Sequence, residues 1–149
     1  MTSDVKGVGI GDLIAGEPTP DRMVKVAGHC VDLVRTHFGE QLDYSSESIE
    51  TLDRIVESGW SGGKGSVELT TIFGAYFGEV VVRKTRGRWV SGFSPEEPGT
   101  ILYVGLGDAV LASVSPFRPV TEKFADPAGF SLATAWSTLM TMLDDAGAR

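Results

Sequence analysis

Apolar residues recur at helical spacing along much of the chain. In "TPDRMVKVAGHCVDLVRTHFG", Val24, Ala27, Val31, Val34 and Phe38 fall on one stripe, which predicts an amphipathic helix. Pro20 suits its first turn, Asp21 favours the positive end of its dipole, and Gly39 stops it. After a short "EQLDYSS" connection, Ile49, Leu52, Ile55 and Val56 predict the buried face of a second helix, capped by Ser45 or Ser46. Its outer face carries Asp43, Glu47, Glu50, Asp53 and Glu57, a charge run that reads as solvated.

The third helix, expected over roughly 66–84, has a different pattern. Leu69, Ile72, Phe73, Tyr76 and Val80 line one face, while Gly74, Ala75, Gly78, Val81 and Val82 cover much of the other. A helix apolar nearly all round belongs inside a domain. Its small residues four apart let another element cross closely, which offsets the ~1 kcal/mol that each glycine costs against alanine. The "VVV" run at 80–82 could instead begin a strand with "TRG" as a hairpin turn, but the helical stripe continues through Val80.

Beyond Gly87 the period shortens. "RWVSGF", "TILYVGL" and "AVLASV" are short, rich in β-branched and aromatic residues, and separated by turn signals, with Gly107-Asp108 as a tight hairpin between the last two. "SPFRPVTEKFAD", punctuated by Pro116 and Pro119, predicts one or two helical turns. A last helix, about 129–146, would bury Leu132, Trp136, Leu139, Met140 and Leu143. Residues 1–18 hold four glycines and no strong period, so they read as a loose arm ahead of a single domain over 19–149. The expected fold is α+β: helices, then a small antiparallel β-meander, then a C-terminal helix.

The motif-bearing part of this pattern has a likeness. "SIETLDRIVES", "FGAYFGEVVVR" followed by "GRW", and "SPFRPVTEKFAD" before a C-terminal "SL" helix together resemble a group of small bacterial proteins of unknown function. Their mark is a Gly-Ala-Tyr-x-Gly-Glu helix followed by a Gly-x-Trp strand. The resemblance spans roughly residues 45–143, with Gly74, Ala75, Tyr76, Gly78, Glu79, Gly87 and Trp89 at the matching positions. It implies a fold and no activity.

Composition narrows the functions open to the chain. A net charge of −7 with a pI of about 4.7 repels nucleic acid and anionic membranes. The N-terminus lacks a basic region ahead of a long apolar run, so no signal peptide is expected, and no stretch approaches the ~18 apolar residues of a membrane span. A single cysteine, Cys30, excludes an internal disulfide and favours a reducing cytoplasm.

Candidate chemistry is sparse. "GVGIG" at 7–11 lacks the third glycine of a dinucleotide loop, and "GWSGGKG" at 59–65 lacks the spacing and the Ser or Thr of a P-loop, so both read as connectors and no nucleotide or other cofactor is expected. His29 and His37 lie eight residues apart and do not converge as metal ligands would. Cys30 reads as a small core residue, and no serine sits in a nucleophile elbow. No catalytic or metal-binding residue is assigned.

What remains is the stretch around Glu79. The acid sits among apolar residues, Arg83 is its i+4 neighbour, and Trp89 returns on the following strand with an indole N–H that needs an acceptor. This predicts a structural clamp rather than a catalytic acid. Tyr76, Glu79, Arg83, Arg86, Arg88 and Trp89 are the candidate ligand or partner contacts, with "RKTRGR" reading chiefly as cations at a helix C-terminus. The expected function is a non-enzymatic protein-interaction domain, an adaptor or a toxin-immunity-like protein, with a protein partner and with neither nucleic acid nor membrane. The alternative is a small-molecule-binding domain or enzyme using Tyr76, Glu79 and Asp108.

Overall fold

A computed structural model describes residues 20–59, 67–85, 87–94, 97–106 and 115–145. Five helices and one hairpin follow in order: α1 Pro20–Phe38, α2 Ser46–Gly59, α3 Val67–Lys84, β1 Gly87–Ser94, β2 Glu97–Leu106, α4 Phe117–Ala125 and α5 Leu132–Asp145. α3 is the axis of the molecule. It packs on α1, α4 and the hairpin, while α5 packs chiefly on α2. From Ile72 to Val81 every α3 residue is buried, which is what its all-round apolar surface requires. The "VVV" run is helix.

The α+β expectation is corrected here. The fold is predominantly helical. Described β structure is confined to the antiparallel pair β1–β2, in register from Gly87 opposite Leu106 to Phe93 opposite Thr100, with an irregularity before Ser94. No meander is formed among the described residues. β2, expected to pair onward with 109–114, has β1 as its partner, and 109–114 lie outside the described residues, as do Gly107-Asp108 and residues 1–18. The physical reason lies in the core. Among the residues whose side-chain burial is described, the buried apolar ones belong to helices apart from Leu42, Trp89 and Pro116. A two-stranded ribbon is marginal alone, and Trp89 anchors this one to the helices.

The glycines of α3 serve as seats. A Cβ at Gly74 would overlap the ring of Phe117 at the start of α4, and a Cβ at Gly78 would overlap the Trp89 indole. The rings of Phe117 and Trp89 therefore lie directly against the α3 backbone. α4 runs nine residues, longer than its prolines suggested. Pro116 precedes the helix and Pro119 lies in its first turn, where the missing N–H has no i−4 carbonyl to meet.

The buried stripe of α1 is rotated from expectation. Met23, Val26, Ala27, Cys30 and Val34 are buried, whereas Val24 is 44% exposed and Val31 half-buried. The α1 stop is as expected: Gly39 adopts a φ of 69° and its N–H reaches the Arg35 carbonyl.

Candidate functional site

Glu79 lies on α3 facing β1 and is 7% exposed. Its two carboxylate oxygens are both engaged. Oε1 accepts the Trp89 indole N–H at 3.0 Å, and Oε2 accepts Arg83 Nε at 3.0 Å. The clamp read from the sequence is formed by the two partners named for it.

The arrangement continues past Arg83. Its guanidinium carbon sits 3.7 Å from the centroid of the Tyr44 ring, and that ring stacks on Tyr76 at 4.9 Å. Tyr44 has a φ of 63°, unusual for a bulky residue, and its N–H donates to Tyr76 Oη at 2.8 Å. Tyr76 in turn donates to Ser48 Oγ at 2.7 Å, and Ser48 donates to the Ser45 carbonyl at 2.6 Å. One connected path thus runs from β1 through α3 and the α1–α2 connection to the first turn of α2. Tyr76 is fully buried, and that burial pushes its phenol up to about 12. Burial also raises Tyr44, against the opposing effect of the Arg83 charge.

Little of this path is open to a ligand. Tyr76, Glu79 and Trp89 are enclosed, whereas the Arg83 side chain is 48% exposed. Lys84 and Arg88 are exposed beside it in sequence. Arg86 and Asp108 lie outside the described residues. A shallow groove of about 390 Å³ runs between the end of α3 and α5, lined by Lys84, Trp136, Met140 and Asp144 with nearby hydroxyls, and neither Tyr76 nor Glu79 lines it.

A second polar cluster was not found from the sequence. Lys123 on α4 is fully buried. Its Nζ donates at 2.7 Å to Glu57 Oε2, to the Pro127 carbonyl and to the Phe130 carbonyl, and Asp53 Oδ1 lies 3.2 Å away. Asp53 also receives the first N–H groups of α5, Leu132 N at 2.7 Å and Ala133 N at 2.9 Å. Ser131 completes that helix start by accepting Thr134 N–H at 3.0 Å.

The solvated reading of the α2 charge run is therefore corrected for one of its members. Asp43, Glu47, Glu50 and Glu57 are exposed, although Glu57 also reaches Lys123, whereas Asp53 is 9% exposed. A signal was present: at 3.6 residues per turn, Asp53 falls only about 40° round the helix from Ile49, on the flank of the apolar face.

The remaining candidates stand apart from both clusters. His29 and His37 are exposed on α1. Cys30 is enclosed in the core, where burial pushes its thiol up out of the reactive range. Among the described residues no group of three or more His, Cys, Asp or Glu could hold a metal ion, and no helix is long and apolar enough to cross a membrane. No family model, curated protein or solved structure matches the chain.

Proposed function

We propose that the chain is a non-enzymatic protein-interaction domain, an adaptor or the immunity partner of a secreted toxin, acting in the cytoplasm. The observation that carries this reading is the commitment of Glu79. A general acid or base must reach its substrate, and both Glu79 oxygens are held by Trp89 and Arg83 in an enclosed position. Tyr76 is enclosed likewise, its hydroxyl taken up by Ser48 and the Tyr44 N–H. This counts against the rival enzyme, which would use Tyr76, Glu79 and Asp108. The likeness to small bacterial proteins with the Gly-Ala-Tyr-x-Gly-Glu helix belongs to the same proposal.

The buried members of the path are support, and the outward residues are the contact. Arg83, stacked on Tyr44, and exposed Arg88 offer the residue types that dominate protein interfaces. The net charge of −7 disfavours nucleic acid as the partner.

Purification from the native cell, with mass spectrometry of everything retained, tests this. The expected result is a stoichiometric protein partner that is lost from an Arg88→Glu variant whose Tm matches that of the native chain. A retained small molecule with no protein partner would reverse the reading.

A further inference from the structure

The surroundings of Lys123 are those of a bound cation. Four oxygens face one nitrogen: carboxylate oxygens of Glu57 and Asp53 from α2, and the carbonyls of Pro127 and Phe130 from the turn between α4 and α5. Three lie at 2.7 Å, the length of charge-assisted hydrogen bonds, and use the three donors of an ammonium. Two main-chain carbonyls aimed at one point are not a feature of an ordinary ion pair. They leave the turn at 126–131 closed around a positive charge.

The charge balance agrees. Two carboxylates oppose one ammonium, but Asp53 also meets the positive end of α5 through Leu132 N–H and Ala133 N–H. The cage suits a monovalent ion. Ca²⁺ takes six to eight oxygens at roughly 2.3–2.6 Å and Mg²⁺ demands near-octahedral geometry at about 2.0–2.1 Å, which four oxygens at 2.7 Å or more do not supply. The Glu57 side chain is 48% exposed, while Lys123 is wholly enclosed.

We infer that this cage is a site for a primary ammonium ion, occupied in the native chain by the ammonium of Lys123 itself. Truncation at Lys123 then leaves a site that a free alkylammonium can fill. Lys123→Ala removes three carbons and the nitrogen, and n-propylammonium supplies those atoms. Its stem takes the place of the lysine methylenes and its three N–H groups meet Glu57, Pro127 O and Phe130 O. The native chain, with its site filled, is indifferent to the same ion.

The probe is n-propylammonium chloride, with 1-propanol as the neutral control and tetramethylammonium chloride as a cation without donors. The expected result is a saturable rise of ~5 °C or more in the Tm of Lys123→Ala with n-propylammonium alone. No such rise is expected for the native chain or for Lys123→Met, whose side chain fills the stem channel. If Lys123→Ala does not fold unaided, refolding from urea is read instead, and recovery that requires n-propylammonium supports the site. A response equal to either control, or no recovery with any of the three, overturns it.

Discussion

Two buried polar clusters stand out among the described residues, and they are built in opposite senses. At the end of α3 an acid is enclosed, and its donors reach it from a half-exposed arginine and an indole. Between α2, α4 and α5 a cation is enclosed, and the acids and carbonyls reach it from the periphery. The first joins residues 79, 83 and 89, all within eleven positions of sequence. The second joins Lys123 to Glu57 and Asp53, and Asp53 to Leu132, across 66 residues or more. A local cluster can lose a member and relax, because Arg83 can turn to water. A cluster that ties three distant elements leaves its orphaned groups inside. The expected difference is one of fragility.

The largest effect should come from the cation. Lys123→Met keeps the volume of the stem and removes the charge, leaving Asp53 and two carbonyls facing an apolar group. A loss of about 3–5 kcal/mol in urea unfolding is expected, the range for breaking a buried pair. A loss under ~1 kcal/mol would make the two clusters equivalent and the contrast wrong.

Glu79→Leu should come next, with a loss of ~1–3 kcal/mol because the Trp89 N–H is left without its acceptor. Glu79→Gln can still accept from Trp89, and the ion pair it gives up is half in water, so its loss should stay below ~1 kcal/mol. If both variants lose the same amount, charge rather than hydrogen bonding holds this end of α3.

Tyr76→Phe sharpens the comparison through pH. The phenol is neutral in the fold up to about 12, above its ordinary value. Its contribution is therefore fully present below about pH 10 and is lost as pH rises toward 12. The stability gap between the native chain and Tyr76→Phe, measured in urea, should be constant from pH 7 to 9 and narrow above 10. A gap that stays constant would mean that burial does not hold the phenol neutral above its ordinary range. The smallest effect is expected on the surface. Arg35 and Asp32 pair at 2.9 Å with both side chains mostly exposed, and Arg35→Ala should change stability by less than ~0.5 kcal/mol.

The same contrast explains what could be read from the chain. The Glu79 clamp was legible because an i+4 arginine and a tryptophan one hairpin-start away are local facts. The central place of α3 was legible from an apolar surface with no polar face, and the close contacts at Gly74 and Gly78 from their spacing. Lys123 was not legible. In "PVTEKFAD" nothing local distinguishes it from a surface lysine, and its partners are set by how α2 meets α4. Asp53 looked like one more acid in a solvated row because α5, which it caps, arrives 79 residues later. The extent of sheet was misread for a related reason. Short β-branched runs state a preference for extended backbone but not how much of the fold it makes up, and the described pairing is the single hairpin β1–β2. On α1, alternative stripes one residue apart are nearly equal in hydrophobicity. Contact with α3 chose the one through Met23 and Cys30.

The seats at Gly74 and Gly78 have a consequence for how this chain can change over generations. Position 74 shares its space with Phe117, and position 78 with Trp89 and Pro116. A larger residue at either is tolerated only alongside a smaller one opposite, so each seat and its occupant form a unit of inheritance in which neither half drifts alone. In diverging copies of this chain, side-chain volume at 74 and 117, and at 78 and 89, should trade in opposite directions.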